Sequence, residues 1–167
     1  MIHHISVAVE NPLHVAQVLA EIWQGEYAPF PGHADSYMVM AFDDWGTMIE
    51  LLPAGTVLVP GSREGDEQAE FTPSGFNPPF VATHAALSVP ISYEQIERIA
   101  AREGWKVLYC NRQGFFDIIE LWVENRLLIE LLTPQMAQRY VTFMQPENLK
   151  QILANMPVPP AAELINA

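Results

Sequence analysis

Apolar and polar residues alternate along positions 2–9, at the start of the chain. One parity consists of Ile5, Val7 and Val9, and the other consists of His4, Ser6 and Ala8. A period of two predicts a β-strand that packs one face on a core and lines an open space with the other. Apolar residues at helical spacing follow, between Asn11-Pro12 and Gly25, and predict an amphipathic helix with an N-cap and a stop.

Three more strands are predicted before the end of this first unit. A weak pattern covers 26–30, and two clearer apolar stretches, 36–43 and 47–52, flank the turn residues Asp44-Trp45-Gly46. Residues 1–53 are therefore predicted to form one βαβββ module.

The same order of elements returns in residues 82–134, which are predicted to form a second βαβββ module. A strand over 84–89 precedes a helix that begins with a capping box at Ser92 and Gln95 and ends at Gly104. Further strands are predicted over 105–110, 115–123 and 126–132, with Glu124-Asn125 as the last turn.

The two modules also repeat a short sequence. Met48-Ile49-Glu50-Leu51-Leu52 in the first returns as Leu128-Ile129-Glu130-Leu131-Leu132 in the second. There are 46 positions from His4 to Glu50 and again 46 from His84 to Glu130. Equal intervals between matching residues indicate an internal duplication.

Two segments lie outside the modules. Residues 54–81 contain many Pro and Gly residues and an acidic cluster, and they predict a tether between the modules, with a lid over a site as the alternative. The acidic cluster consists of Glu64, Asp66, Glu67 and Glu70. Residues 135–167 predict a helical tail, with Thr133 as the cap of a helix that begins at Pro134. A second helix is predicted from Pro146 to about Asn155, followed by an extended or disordered end.

Composition narrows the possible partners. The chain has 167 residues, a formal charge of −12 and a single cysteine, Cys110. The negative charge argues against binding to nucleic acid or to an anionic membrane surface, which needs clustered Lys and Arg. No apolar run approaches the roughly 18 residues of a membrane span, and the single thiol suits a reducing cytoplasm. We therefore expect a cytoplasmic protein with a small-molecule or protein partner.

Candidate chemistry comes from the duplicated residues. Glu50 and Glu130 lie in strands that are otherwise apolar, where an unpaired carboxylate is costly and tends to protonate. Two carboxylates and the two imidazoles of His4 and His84 would neutralise and coordinate one divalent ion. This mixed set suits Zn, Ni, Co, Mn or Fe(II) better than Ca or Mg. Either copy alone is more simply a structural His–Glu pair, and the duplication favours the metal site.

A few other residues bear on a site. Asp117 and Glu120 have opposite strand parity, and parity alone does not show which of them faces the site. The candidate cations for an anionic substrate are Arg63, Arg112 and Arg126, out of eight Lys and Arg residues in the chain.

These features resemble the vicinal oxygen chelate superfamily, which includes glyoxalase I, extradiol dioxygenases and bleomycin resistance proteins. The resemblance is carried by the paired modules, by His4-Ile5-Ser6-Val7-Ala8-Val9 and by Ile49-Glu50-Leu51-Leu52-Pro53, and it covers about residues 2–134. It implies an α+β fold in which two tandem βαβββ modules form a cup-shaped mixed sheet, here with a C-terminal helical extension.

The resemblance also implies a site. The family's four ligand positions correspond to His4, Glu50, His84 and Glu130, a set similar to that of bacterial glyoxalase I. By the same resemblance, Glu130 or Glu50 would serve as the general base of a metal-dependent lyase or isomerase. Its substrate would chelate the metal through adjacent oxygens. The alternatives are a binding or resistance protein without catalysis and, less favoured, an Fe(II) extradiol-type dioxygenase. The cup could close within one chain or across a homodimer.

Overall fold

The computed structural model describes residues 2–60 and 69–155. The first module contains β1 (His4–Val9), α1 (Pro12–Trp23), β2 (Glu26–Pro29), β3 (Tyr37–Met40) and β4 (Met48–Pro53). The second contains β7 (Ala85–Ser88), α2 (Tyr93–Glu103), β8 (Lys106–Arg112), β9 (Phe116–Val123) and β10 (Leu127–Leu132). Between them lie β5 (Thr56–Val59) and β6 (Glu70–Pro73), and after them lie α3 (Pro134–Phe143) and α4 (Pro146–Asn155). Most of the acidic cluster and the tail beyond residue 155 lie outside the described residues.

Each module forms a four-stranded mixed sheet, as predicted. The strand orders are β1-β4-β3-β2 and β7-β10-β9-β8, and the first two strands of each are parallel. Ser6 lies across from Glu50 in the first sheet, and Ala86 lies across from Glu130 in the second. The predicted α+β fold of two βαβββ modules is confirmed, and the duplication extends to the strand register.

Strand parity separates the two faces of each sheet. The core face carries the buried residues Val7, Ile49 and Leu51 in the first module, and these pack in one cluster with residues of α1. The second module buries Ile119, Leu121, Ile129 and Leu131 in the same way, together with residues of α2. The opposite face carries the two glutamates, and we call it the glutamate face. It bears His4, Ser6 and Glu50 in one sheet and Ala86 and Glu130 in the other, and His84 comes directly before the first paired residue of β7.

The two predicted helix stops differ in detail. Gly104 is itself the left-handed cap of α2, with φ 67°, and the predicted capping box at Ser92 and Gln95 is present. For α1 the prediction was one residue late, because Gln24 takes the left-handed cap position with φ 53°. Gly25 is required for a different reason: a Cβ there would overlap the backbone carbonyl of Met40.

The segment between the modules is more regular than its composition indicated. Strands β5 and β6 pair as an antiparallel two-stranded sheet within the predicted tether. Its apolar side chains Val57, Leu58 and Val59 are exposed, so burial imposes no clear period on the sequence. Helices α3 and α4 begin at the predicted prolines, although the Thr133 side chain makes no capping hydrogen bond to α3. Among the described residues, no helix is long and apolar enough to cross a membrane.

Polar contacts join the modules along α1 and α2. Arg102 donates to the Glu21 carboxylate at 2.7 Å, and His14 lies 2.7 Å from Glu103. The indole of Trp23 donates to the backbone carbonyl of Ser88 at 3.2 Å. These contacts lie beside an apolar core that contains residues of both modules, and that shared core holds the two sheets together.

Candidate functional site

The first module holds Glu50 in a nearly buried position on the glutamate face. Its carboxylate is 8% exposed and accepts a hydrogen bond of 2.5 Å from the Ser6 hydroxyl on the neighbouring strand. Ser6 can reach it because the parallel register of β1 and β4 places the two residues side by side. His4 lies two residues earlier on the same face and is exposed. The module thus presents one shielded carboxylate and one accessible imidazole.

The second module repeats this arrangement with different supporting residues. Ala86 takes the place of Ser6 beside Glu130, and His84 again lies two residues earlier. The Nδ1 atom of His84 lies 2.9 Å from the carbonyl oxygen of Ala82. A proton on Nδ1 donated to that carbonyl leaves the lone pair of Nε2 free, which is the state in which imidazole binds a metal.

The spacing within each pair suits a shared ligand. Adjacent strands and a two-residue offset separate the Cα atoms of histidine and glutamate by about 8 Å, a distance that two converging side chains can span. Each module therefore supplies one nitrogen and one oxygen donor. The donor chemistry of the four residues fits a divalent transition metal.

The four predicted ligands do not converge within one chain. Within residues 2–60 and 69–155, no group of three or more His, Cys, Asp or Glu side chains could hold one ion. His4 and His84 do line one open cleft of about 1050 Å³ between the start of β1 and the length of β7. Glu50 and Glu130 are not part of its lining. Among the described residues, the four predicted ligands therefore do not form an assembled site within a single chain.

The cleft has an apolar wall with aromatic and polar side chains. Its aromatic residues are Trp23, Phe42, Trp45 and Tyr140, and its polar residues besides His4 and His84 are His3, Gln24, Asp43, Thr47 and Ser88. Phe42 and Trp45 are largely exposed, and they belong to the turn between β3 and β4, which is held by Asp43. Apolar side chains interspersed with polar groups are typical of sites for small organic ligands.

The structure places beside Glu130 two residues whose part in a site the sequence left open. Arg112 lies on the glutamate face of the second sheet, where its Nη2 atom donates to Glu130 at 2.8 Å and to Glu120 at 3.2 Å. Glu120 lies directly across from Glu130 in the antiparallel pair of β9 and β10. Counting outward from the predicted two-residue turn at Glu124-Asn125 would have paired Glu120 with Ile129. The connection in the structure has three residues, 124–126, because Val123 pairs with Leu127, and this places Glu120 opposite Glu130.

The structure also resolves the choice between Asp117 and Glu120. Asp117 points to the other face and is buried, and it accepts hydrogen bonds from Arg139 at 2.5 Å and Asn111 at 2.6 Å. Glu120 is therefore the acidic residue of β9 that belongs to the site. The sequence named Arg112 only as a candidate cation for a substrate, and no local feature indicated its contacts with Glu120 and Glu130, which are 8 and 18 residues away.

Electrostatics on this face favour a charged arginine and a neutral thiol. The hydrogen bond to Glu130, opposed by burial and assisted by the hydrogen bond to Glu120, raises the pKa of Arg112 above its ordinary value. Burial, followed by the negative charge of Glu120, raises the pKa of the Cys110 thiol. Cys110 is therefore a protonated neighbour of the site and is poorly suited to act as a nucleophile.

Comparison with known proteins supports the fold. No protein-family model matches the sequence, and no curated protein is similar to it. Among 46 matching solved chains is the fosfomycin resistance protein FosX from Listeria monocytogenes. It aligns with a TM-score of 0.53 and 13% identity over 83% of this chain and 97% of that chain.

Two further FosX structures align similarly. The protein from Mesorhizobium loti has a TM-score of 0.50 and 10% identity over 84% of this chain and 96% of that chain. The Listeria monocytogenes protein complexed with Mn(II) and sulfate has a TM-score of 0.53 and 14% identity, covering 86% and 97% of the two chains. At this level of identity, the likeness concerns the fold. The strand orders, the duplicated register and these alignments together show that the chain has the fold of the vicinal oxygen chelate superfamily.

Proposed function

We propose that this protein is a divalent-metal-dependent lyase or isomerase of the glyoxalase type. Its substrate would be a small molecule that presents two adjacent oxygens. The observation that carries the proposal is the repetition of a glutamate at the same register position of both sheets, with Glu50 opposite Ser6 and Glu130 opposite Ala86. In both modules a histidine comes two residues before that neighbour in the sequence. A duplication copies a structural pair as readily as a ligand pair, so the proposal also depends on donor chemistry: two carboxylates and two imidazoles together suit one divalent transition metal.

The residues that would hold the ion are His4, Glu50, His84 and Glu130. When bound, a divalent ion would supply Lewis-acid stabilisation of negative charge that develops on substrate oxygens. The Mn(II) present in two solved FosX structures supports a metal of this class. The His84 side chain is already oriented by the Ala82 carbonyl, and Glu50 is oriented by Ser6. Such supporting hydrogen bonds are typical of ligands that are arranged before the metal arrives.

We further propose that Glu130 acts as the general base and that Glu50 serves mainly as a ligand. The Glu50 carboxylate is buried and held by Ser6, whereas the Glu130 side chain is 18% exposed on a face that a substrate can approach. A base positioned in this way typically contributes about 10²–10⁴-fold in rate.

The complete site is proposed to form between two copies of the chain. The two His–Glu pairs do not converge within the described residues of one chain. Strands β1 and β7 each pair with a single neighbour in the described sheets, so each leaves one edge open to another strand. In a symmetric dimer, the first module of one protomer could face the second module of its partner, which would give two equivalent sites.

Mixed dimers test this arrangement. One variant, His4→Ala/Glu50→Gln, loses the pair in the first module, and the other, His84→Ala/Glu130→Gln, loses the pair in the second. Each variant alone is expected to lose bound metal. A mixed dimer isolated through two different tags should regain one native site and about half of the wild-type metal content. Failure of the mixed dimer to recover metal would exclude a site shared between chains.

A specific observation favours one alternative function, a small-molecule binding protein without metal chemistry. Glu130 already has a cationic partner, Arg112, so one of the two carboxylates is neutralised without an ion. Metal analysis of protein purified without chelator distinguishes the two functions. A stoichiometric transition metal that is lost in Glu130→Gln supports the enzyme. The binding protein is supported if the native protein is free of metal and binds its ligand with the same affinity as Glu130→Gln.

A further inference from the structure

One cation and two carboxylates meet on the glutamate face of the second module. The guanidinium of Arg112 contacts Glu130 at 2.8 Å and Glu120 at 3.2 Å, both through Nη2. The side chains of the two glutamates are only 18% and 17% exposed, and that of Arg112 is 40% exposed. The group therefore carries one excess negative charge in a partly shielded position.

No other cation of the described chain neutralises this charge. The first 62 residues contain neither Lys nor Arg, so the first module offers no cation to a site that it would share. Lys106 is the other cation on this face of β8, but it lies six residues from Arg112, about 20 Å along an extended strand. The guanidinium of Arg112 is thus the resident counter-ion of Glu130.

Glu120 can retain its hydrogen bond to Arg112 if the side chain of Glu130 rotates away from the guanidinium. The indole Nε1 of Trp122 donates to the Oε2 atom of Glu120 at 3.3 Å, while Arg112 contacts the Oε1 atom. Glu120 therefore has its own anchor and does not depend on Glu130 for its orientation. The Nε and Nη1 atoms of Arg112 have no hydrogen-bond partner in the part of the chain that the structure describes, so a second contact to Glu120 is available.

We propose that Arg112 competes with the divalent metal for Glu130, and that Glu120 retains the guanidinium when the metal takes Glu130. This inference rests on the proposed function, because it requires Glu130 to be a metal ligand. Arg112 is then a positioning residue that sets metal affinity: it keeps Glu130 neutralised and oriented in the metal-free protein and weakens the binding of the ion that replaces it.

Calorimetric titration of the chelator-stripped protein with Mn²⁺ tests the competition. Arg112→Met removes the competing cation and should tighten Mn²⁺ binding by at least about tenfold, because two neighbouring carboxylates then lack a counter-ion. Lys106→Met is the matched control, since it removes the same charge from the same face of the same strand. It should change the affinity by less than about twofold because exposed, distant charges are screened.

The direction of the effect separates competition from structural support. If Arg112 only held Glu130 in place, Arg112→Met would weaken Mn²⁺ binding, and an unchanged or weaker affinity overturns the inference. The competition further predicts that Glu120→Gln weakens Mn²⁺ binding, because Glu130 is then the remaining carboxylate partner of Arg112 and is released less readily to the metal. Circular dichroism of each variant checks folding, and Arg112→Gln replaces Arg112→Met if the latter does not fold.

The titration also distinguishes failure of this inference from failure of the proposed function. The proposed function is contradicted if the wild-type protein binds no Mn²⁺, or if wild type and Glu130→Gln bind Mn²⁺ with the same affinity. Wild-type protein whose Mn²⁺ binding depends on Glu130 but is not tightened in Arg112→Met contradicts only the role of Arg112.

Discussion

The two equivalent glutamates of the modules accept hydrogen bonds from different kinds of side chain. Glu50 is held by the Ser6 hydroxyl, a neutral donor, whereas Glu130 lies beside Ala86 and is held by the charged Arg112. A neutral donor leaves the negative charge of Glu50 in place, and a guanidinium cancels that of Glu130. The two carboxylates are therefore suited to different roles although they occupy the same position in the duplicated unit.

Ser6 is expected to contribute measurably to stability. Ser6→Ala leaves the nearly buried Glu50 carboxylate without its hydroxyl donor and should lower the free energy of unfolding by about 1–2 kcal/mol. Urea denaturation of chelator-stripped protein at neutral pH measures the change. Ser88→Ala is the control, since Ser88 is an exposed residue on the same face of the equivalent strand, and it should stay within about 0.5 kcal/mol of wild type. Equal losses in both variants would contradict a specific role for Ser6.

At the scale of the elements, two helices that end with similar sequences end for different reasons. Gly104 takes a left-handed conformation with open space around it, so its lack of a side chain matters only for the backbone. Gly25 has no positive φ, but it lies against the backbone carbonyl of Met40 at the end of β3. The first glycine permits a conformation, and the second permits a close approach of helix end and strand.

The two glycines should respond differently to the same substitution. Gly104→Ala strains one residue in the left-handed region and should cost about 1 kcal/mol. Gly25→Ala forces a Cβ into a backbone atom that cannot rotate away, and it should cost about 2–4 kcal/mol. Thermal and urea unfolding at one pH shows which of the two variants loses more stability. A larger loss for Gly104→Ala would show that α1 and β3 separate easily.

At the scale of the whole molecule, charge is divided unequally between the modules. The first 62 residues contain no Lys or Arg, and cations of the second module pair with their glutamates. Arg102 binds Glu21, and Arg126 binds Glu10 as well as the backbone of Pro78 and Pro79. These ion pairs therefore link the modules locally, in addition to the apolar core that the modules share.

The protonation of Glu103 makes the stability of this ion-pair network depend on pH. Burial acts to raise its pKa, but hydrogen bonds from Arg102 and His14 and their charges lower the pKa below its ordinary value of 4.5. A carboxyl group with a lowered pKa in the folded state binds protons more readily when unfolded. Its contribution to stability is therefore present above pH 4.5 and is lost as the pH falls through the lower folded value.

Glu103→Gln should consequently flatten the acid dependence of stability. We expect a loss of about 1 kcal/mol at pH 7, because its partner Arg102 is itself half exposed, and a smaller difference from wild type at pH 3. Glu97→Gln, an exposed change of the same charge on the same helix, is the control. Urea denaturation between pH 3 and pH 7 measures the free energy of unfolding of both variants. If this free energy changed with pH in the same way in Glu103→Gln and Glu97→Gln, the role assigned to Glu103 would be wrong.

Much of the fold could be predicted because its signals are local. Alternation along residues 2–9 follows from the two-residue period of a strand, and the apolar stretches around Glu50 and Glu130 form strands in the structure. The sheet formed by β5 and β6 was missed because its side chains are exposed and leave no periodic pattern. The assignment of the four ligands stays a prediction.

The sequence by itself determined the duplicated modules and which face of each strand carries the histidines and glutamates, since both depend on neighbours a few residues apart. Only the tertiary structure decided which groups neutralise those glutamates. Arg112 reaches Glu130 across three strands, and the hydroxyl of Ser6 reaches Glu50 across 44 residues. Contacts of this kind depend on strand order, register and module packing. These are set by the combined burial of the whole core and not by any one stretch of the chain.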